Sequence, residues 1–370
     1  MNGGNGRKRP TPLGRSPGRL RDEVPPAPVE PRRRPSRLAH HPVVLFLNLM
    51  MSVLVFGVLG AAAAIWLGSQ SYFAPGPSTD DETILIVRGT SVDAISDALA
   101  ERGVVSSALL FRAASLVTGK AAGIKAGEYV IPAGASMAAV MNQLVEGKVV
   151  QHAITVPEGL SSTQVVKILN ESDVLVGTIQ RIPDEGTLLP ETYLVERGTS
   201  RQAVIDRMQR AHAAALEDAW EARRPGLPID SARDLLVLAS IVEKETGVGA
   251  ERPMVAGVFH NRLRRGMRLQ SDPTILYGLY GGEAWERPRT IYQSELDRPN
   301  PYSTYQINGL PPGPIANPGR AAMMAVANPA DTDAIFFVAD GTGGHAFART
   351  YEEHQRNVAR WREIERSRSN

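Results

Sequence analysis

The uncharged stretch between Leu38 and Thr79 constrains this chain more than any other feature of its sequence. It contains no Asp, Glu, Lys or Arg, and its part from Val43 to Leu67 is almost entirely apolar. As a helix, these roughly 25 residues would be about 37 Å long, which exceeds the roughly 30 Å hydrocarbon core of a bilayer. We therefore predict one transmembrane helix over residues 42–68.

Two other interpretations of this stretch fit less well. A cleavable signal peptide has a short basic head and an apolar region of about 7 to 15 residues, and both parts are longer here. A buried helix of a globular domain is disfavoured because Asn48 and Ser52 are the only clearly polar residues of the run. The stretch favours a single membrane anchor.

Residues 1–41 form a basic tail before this helix. They contain ten basic and three acidic residues, many Pro and Gly, and few large apolar side chains. Because such a composition cannot offset the entropy lost on folding, we predict that the tail is disordered. The positive-inside rule then places the tail in the cytoplasm and about 290 residues beyond the membrane, after a linker over residues 69–82.

The remaining composition excludes several kinds of site. The chain of 370 residues carries 41 Lys and Arg against 39 Asp and Glu, which argues against a dedicated nucleic-acid-binding surface. It has no Cys, so disulfide scaffolds, thiolate zinc sites and cysteine nucleophiles are excluded. Its seven His residues lack the spacing of metal ligands. We expect no metal, no cofactor and no nucleic acid partner.

An internal repeat opens the part beyond the membrane. Each copy has an apolar residue, a Gly three positions later, a Ser two further on, and then apolar residues at intervals of four. The copies begin at Ile86, Ile131, Val156 and Val195. This pattern predicts a strand, a Gly-containing turn, a Ser N-cap and a helix. Ordinary strand-turn-helix signals of an α+β protein are the alternative explanation.

The first copy continues in a way that resembles a LysM module. A second helical segment begins at Ser106, and a returning strand runs from Gly127 to Ile131. LysM modules bind the N-acetylglucosamine backbone of peptidoglycan or chitin. The resemblance implies a LysM-like α+β subdomain over residues 83–150, before a mixed α/β domain over residues 151–366. The expected fold class is α+β.

A carboxyl group at the end of an apolar helix is the candidate catalytic group. Asp230 or Ser231 can cap a helix that runs through an apolar stretch to Glu243. At about 100° per residue, Glu243 projects only about 20° from Leu236, where apolar side chains already point. Burial and the negative end of the helix dipole would both raise its pKa, as a general acid requires. A solvated helix end is the alternative.

Polar residues on later segments are candidate sugar-binding partners of this acid. They are Asn261, Gln270, Asp272, Tyr302, Tyr305 and Asn317. Asp272 precedes a proline, so it is either a helix N-cap or a second carboxylate. The last three lie on a stiff loop rich in Pro and Gly, which also fits a plain surface connection.

Five blocks of sequence resemble one known family, the YceG-like endolytic murein transglycosylases. They begin at Leu238, Val258, Met267, Gly309 and Phe337, in the family's order and behind one N-terminal span. Ser303, Thr187 and Leu189 depart from the family pattern, which affects the expected sugar contacts rather than the reaction.

The resemblance implies a lyase in the bacterial inner membrane, with a periplasmic catalytic domain and Glu243 at the position of the catalytic glutamate. Such enzymes cut the glycan strands of nascent peptidoglycan internally and leave 1,6-anhydro-N-acetylmuramic acid ends. Peptidoglycan strands and the bilayer are then the expected partners, with peptidoglycan synthases as further candidates.

A single carboxyl group suits this reaction. Hydrolytic glycosidases generally use two carboxylates, whereas the C6 hydroxyl of muramic acid can attack its own anomeric carbon with the advantage of tethering. Two alternatives stay open: a muramidase, which adds water, and a non-catalytic peptidoglycan-binding anchor of a wall-synthesis or division complex.

Overall fold

The computed structural model of the chain describes residues 41–284 and 291–369. The predicted basic tail lies outside the described residues, apart from His41. The chain divides into two units, residues 1–67 and 68–370.

Helix α1, Pro42–Phe73, contains the predicted membrane span. Among the described helices, it is the one long and apolar enough to cross a bilayer, and none of its residues is buried. Exposure of so many apolar side chains suits a helix surrounded by lipid. The helix runs five residues beyond the predicted end at residue 68, so the first part of the predicted linker is helical.

All four copies of the repeat form the expected strand, turn and helix. Strands β1 to β4 are Glu82–Ile86, Gly127–Ile131, Gln151–Thr155 and Thr192–Glu196. Helices α2 to α6 are Val92–Glu101, Ala108–Val117, Met137–Glu146, Ser162–Glu171 and Arg201–Glu221. In each copy the Ser is the N-cap, and its hydroxyl accepts a hydrogen bond from a backbone N–H three residues later. The preceding Gly has a φ between +66° and +89°, a region that favours glycine.

The copies pair in twos. Strand β1 is antiparallel to β2, with Ile86 opposite Gly127, and β3 is antiparallel to β4, with Thr155 opposite Thr192. The apolar positions of copies one and two are buried in one core, and those of copies three and four in another. The predicted order of strand, two helices and strand in residues 83–150 is therefore present, while its LysM character stays a prediction.

The rest of the chain is mainly helical. Helices α7 to α12 are Ala232–Glu245, Arg252–Arg264, Asp272–Tyr280, Gln293–Leu296, Arg320–Ala327 and Tyr351–Ser369, and strands β5 and β6 are Phe336–Ala339 and His345–Ala348. Of the two predicted caps of α7, Asp230 and Ser231, the N-cap is Ser231, whose hydroxyl accepts from the N–H of Asp234. Helix α11 packs against α6, α7 and α8, so α7 is buried over nine consecutive residues that end at Glu243.

Candidate active site

Two glutamates at the end of α7 lie in different surroundings. Glu243 and Glu245 are two residues apart, so their side chains leave the helix about 200° apart. Glu243 faces the third repeat copy and the start of α11, whereas Glu245 faces the start of α9. The carboxyl groups of Glu243 and Glu245 are therefore two separate candidate acids.

Glu243 is held by two donors in a nearly closed environment. Its side chain is 4% exposed. Oε1 accepts from Nη2 of Arg252 at 2.7 Å, and Oε2 accepts from the backbone N–H of Gly319 at 2.9 Å. Burial raises the pKa of Glu243 above its ordinary value, although both donors act in the opposite direction. The predicted desolvation of Glu243 is confirmed, whereas its pairing with Arg252 was not predicted from the sequence.

Arg252 joins Glu243 to the turn of the third repeat copy. Its Nη2 also donates to Oε2 of Glu158 at 2.6 Å, and Lys244 donates from Nζ to the carbonyl of Gly159 at 3.1 Å. We call Glu158, Glu243 and Arg252 the Arg252 cluster. Because both oxygens of Glu243 already accept hydrogen bonds, this carboxylate has a clear structural role: it ties α7 to two other segments.

Glu245 has the properties of a poised acid. It is partly buried, and its pKa is raised to about 7, mainly by burial. The negative charge of Asp272 contributes to this rise, whereas the Ser271 hydroxyl and the Arg262 guanidinium act against it. A carboxyl group with a pKa near 7 is about half protonated at neutral pH, which suits a group that must both give and take a proton.

The residues around Glu245 include three of the predicted partners. Tyr305 donates from its hydroxyl to Oδ1 of Asp272 at 2.7 Å, and Arg262 donates to Oε1 of Gln270 at 3.4 Å. We call Glu245, Arg262, Gln270, Asp272 and Tyr305 the Glu245 cluster. The structure therefore gathers predicted site residues around Glu245. Glu243 makes no hydrogen bond or ion pair with them in the described part of the chain.

Gln270 has an unusual backbone. Its φ is +51°, and it is the one non-glycine residue with a positive φ in residues 41–284 and 291–369. Such a conformation is uncommon outside glycine and persists where the surroundings enforce it, often at functional sites. Here the N–H of Gln270 donates to the carbonyl of Thr304 at 3.2 Å. The side chain of Gln270 is exposed.

Asp272 is not the N-cap of the following helix. Ser271 occupies the N-cap position, and Asp272 is the first residue of α9. The N-cap interpretation of Asp272 is therefore wrong. The alternative, a second carboxylate, agrees with its position in the Glu245 cluster.

Asn317 is built into the interior instead of facing a ligand. It is fully buried, its Oδ1 accepts from the N–H of Leu188 at 2.9 Å, and its Nδ2 donates to the carbonyl of Leu160 at 3.0 Å. These bonds hold in place the segment that contains Gly319, whose N–H donates to Glu243. A direct sugar contact by Asn317 therefore conflicts with its burial.

The side-chain amide of Asn261 is likewise engaged in hydrogen bonds within the protein. Its Nδ2 donates to the carbonyls of Thr332 at 2.7 Å and Ala334 at 3.0 Å. Both amide hydrogens are thus used to hold the segment before β5, and its Oδ1 accepts from Arg264 at 3.0 Å. Few hydrogen-bonding positions remain for a sugar, so a structural role explains this residue better than the predicted one.

Tyr302 belongs to an aromatic pair that the sequence did not reveal. Its ring packs edge to face on Tyr277, with centroids 5.1 Å apart, and both residues are partly exposed. The hydroxyl of Tyr277 donates to Glu185 at 3.3 Å, and burial raises the pKa of Glu185. Tyr277 stands five positions after Asp272 on α9, so the helix connects this pair to the Glu245 cluster.

The comparison with known proteins identifies the family. The profile of the YceG-like family matches residues 84–360, which is well over half of the chain. This protein belongs to the YceG-like family. The resemblance seen in the five sequence blocks is confirmed.

Several proteins of known name are similar to most of this chain. The endolytic murein transglycosylase of Bacillus subtilis (strain 168) is 31% identical over 305 residues, which cover 74% of this chain and 82% of that protein. The endolytic murein transglycosylase of Streptococcus pneumoniae serotype 2 (strain D39) is 28% identical over 365 residues, or 85% of this chain and 64% of that protein. The crystal structure of the yceG-like protein lmo1499 of Listeria monocytogenes is 29% identical, with a TM-score of 0.47 over 75% of this chain and 99% of that chain.

Proposed function

We propose that this YceG-like protein is a membrane-anchored lytic transglycosylase with Glu245 as its proton donor. It would cleave the β-1,4 bond between N-acetylmuramic acid and N-acetylglucosamine within nascent glycan strands, and so terminate their elongation. The observation that carries this proposal is the partly buried Glu245 carboxyl group beside Asp272, which itself accepts from Tyr305 at 2.7 Å; a pKa raised mainly by burial to about 7 agrees with it. The names of its relatives support the choice of substrate.

Glu245 fits the catalytic role better than Glu243, the residue predicted from the sequence. A catalytic acid must reach the glycosidic oxygen, but both oxygens of Glu243 already accept hydrogen bonds. Neighbouring charges do not separate the two: Glu158 raises and Arg252 lowers the pKa of Glu243, and Asp272 raises and Arg262 lowers the pKa of Glu245. The hydrogen bonds on both oxygens of Glu243 decide between them. We assign a structural role to Glu243, which holds the end of α7 in position through Arg252 and Gly319.

The proposed reaction needs one carboxyl group in two successive roles. Glu245 donates its proton to the glycosidic oxygen as the bond to the anomeric carbon of N-acetylmuramic acid breaks. The C6 hydroxyl of the same sugar then attacks that carbon, and the Glu245 carboxylate takes the hydroxyl proton. The products are an anhydro end and a new hydroxyl end, and no water is consumed. Tethering of the attacking hydroxyl replaces the second carboxylate of a hydrolase.

The neighbours of Glu245 have supporting roles in this proposal. The charge of Asp272 adds to burial in raising the pKa of Glu245, and the Tyr305 hydroxyl holds Asp272 in place. The exposed amide of Gln270 is positioned to bind an N-acetyl group, and the exposed parts of Tyr277 and Tyr302 offer apolar faces to a sugar ring. Carbohydrate sites commonly combine these groups, because a sugar has both hydroxyls and apolar C–H faces.

The membrane arrangement is part of the same proposal. Helix α1 fits a single-pass anchor in the bacterial inner membrane, and the basic residues before it favour a cytoplasmic N terminus. Residues 151–366 would then act in the periplasm, next to a glycan-binding, LysM-like subdomain over residues 83–150. Peptidoglycan synthases, which make the nascent strands, are the proposed protein partners.

Product analysis tests this function. The full chain in detergent should convert purified glycan strands into shorter ones with 1,6-anhydro ends, detected by mass spectrometry. A muramidase would instead give ends heavier by one water, and a non-catalytic anchor would leave the strands intact. Either of these results would contradict the proposal.

A further inference from the structure

A cleft between the first two sheets is separate from both glutamate clusters. It has a volume of about 890 Å³. One wall comes from the end of β1 and the segment before β2, and the other from the segment after α5 and the turn after β4. In terms of the repeat, the turns of the first and fourth copies face each other across it.

The lining of this cleft does not suit a sugar. None of its lining residues is aromatic, and Thr199 is the one that carries a hydroxyl. It does contain charges of both signs: Arg88 and Lys125 on one wall, Asp173 and Glu196 on the other. A lining of charges and aliphatic side chains suits a short peptide that carries both signs of charge.

Two of these charges are free to bind a ligand. Arg197 pairs with Glu128 at 2.9 Å and with Asp173 at 3.6 Å, so its charge is already compensated. Arg88 and Glu196 are both exposed, and neither forms an ion pair with any residue that the structure describes. They stand on opposite walls of the cleft.

Apolar side chains lie exposed between these charges. Leu85 is 51% exposed, Val87 61% and Val176 49%. All three line the cleft. Apolar side chains in a charged cleft can bind the alkyl parts of a peptide, because their contact removes apolar surface from water.

Ion pairs connect the two walls. Glu128 at the start of β2 accepts from Arg197 and lies 2.6 Å from Nε2 of His152 on β3. The hydrogen bond from His152, followed by that from Arg197, lowers the pKa of Glu128. These contacts fix the first sheet against the second, so the cleft is preformed and a ligand need not bear the cost of ordering it.

We propose that this cleft binds the peptide that hangs from a peptidoglycan strand. Arg88 would pair with a peptide carboxylate and Glu196 with a peptide amine, while Val87 and Val176 contact aliphatic side chains. This inference rests on the proposed function, because it takes murein as the substrate. The cleft would then distinguish strands that still carry peptides from strands that do not. It would do so at a place separate from the site that cuts the sugar chain.

Charge reversal in the cleft tests the inference with two substrates. Arg88→Glu in the full chain should lower kcat/KM about tenfold for strands that carry peptides, and change it less than twofold for strands stripped of peptides by an amidase. Lys167→Glu, which reverses an exposed charge on α5 outside the cleft, is the matched control and should change neither. Equal loss on both substrates, or no loss on either, would overturn the inference.

A binding measurement keeps this test independent of catalysis. A disaccharide carrying a tetrapeptide should bind the full chain more tightly than the same disaccharide without peptide, and Arg88→Glu should remove the difference. Equal binding of both probes to the unmodified protein would overturn the peptide assignment. If the protein cut no strands while this preference remained, the proposed function would fail and the peptide site would stand.

Discussion

Glu245→Gln should lower the rate of glycan cleavage by about 10²- to 10⁴-fold, the usual contribution of a positioned general acid. The amide of Gln is nearly the same size as the carboxyl group, so the fold and glycan binding should be retained. It cannot give a proton to the glycosidic oxygen or take one from the C6 hydroxyl. The measurement is the initial rate at which anhydro ends appear, at equal concentrations of folded protein.

Glu243→Gln is the matched comparison, two residues away on the same helix. It removes the negative charge beside Arg252 and replaces one of the two oxygens that accept from Arg252 and from the Gly319 N–H, so it should reduce thermal stability while keeping substantial activity. The reverse outcome, with activity lost in Glu243→Gln and kept in Glu245→Gln, would return the catalytic role to Glu243.

Arg252→Met should destabilise the folded chain by about 3–5 kcal/mol, because it leaves a buried carboxylate without its cation. Glu243 has only 4% of its side chain exposed, and Arg252 has 13%. The suitable control is Arg320→Met, which breaks a pair with Glu191 in which both side chains are more than 40% exposed, and which should cost about 0–1 kcal/mol. Urea unfolding of the full chain in detergent measures both.

The pH dependence of this loss identifies its cause. Without Arg252, burial holds the pKa of Glu243 above its value in the unfolded chain, so the folded form binds a proton more tightly. Stability of Arg252→Met should therefore decrease as pH rises above about 4.3, the ordinary pKa of Glu. The double variant Arg252→Met with Glu243→Gln should recover part of the loss. A cost no larger than that of Arg320→Met would contradict the structural role of the Arg252 cluster.

Local signals in the sequence were sufficient to predict the strand-turn-helix units. Each Ser caps its own helix and each Gly adopts a positive φ within the same short segment, so no distant residue is needed to specify the unit. The pairing of copies one with two, and three with four, depends on contacts between distant segments. The repeat alone does not contain that information.

The choice between Glu243 and Glu245 depends on contacts between distant segments, which the sequence does not reveal. Helical periodicity correctly places Glu243 on the buried face, but burial alone does not distinguish a catalytic acid from a structural carboxylate. The partner that makes this burial tolerable, Arg252, comes from the next helix, and Gly319 comes from a segment 76 residues away. The cause of the raised pKa of Glu245 also lies elsewhere, in burial and in Asp272.

The two asparagines show the same limit. An amide in a polar loop is equally suited to a sugar hydroxyl and to a backbone carbonyl, and the sequence does not distinguish these partners. Asn317 is buried, and Asn261 donates to two backbone carbonyls. Both observations favour a structural role for these residues. The positive φ of Gln270 is a physical reason to keep this predicted residue in the site.

The pH–rate profile tests the central claim, a proton held by Glu245, most directly. Cleavage requires the protonated form, so kcat/KM should be constant well below the pKa of about 7 and fall about tenfold per pH unit above it. Because the charge of Asp272 raises that pKa, Asp272→Asn should move the falling limb to lower pH. A rate that stays constant to pH 9, or a limb that does not move in Asp272→Asn, would contradict the account.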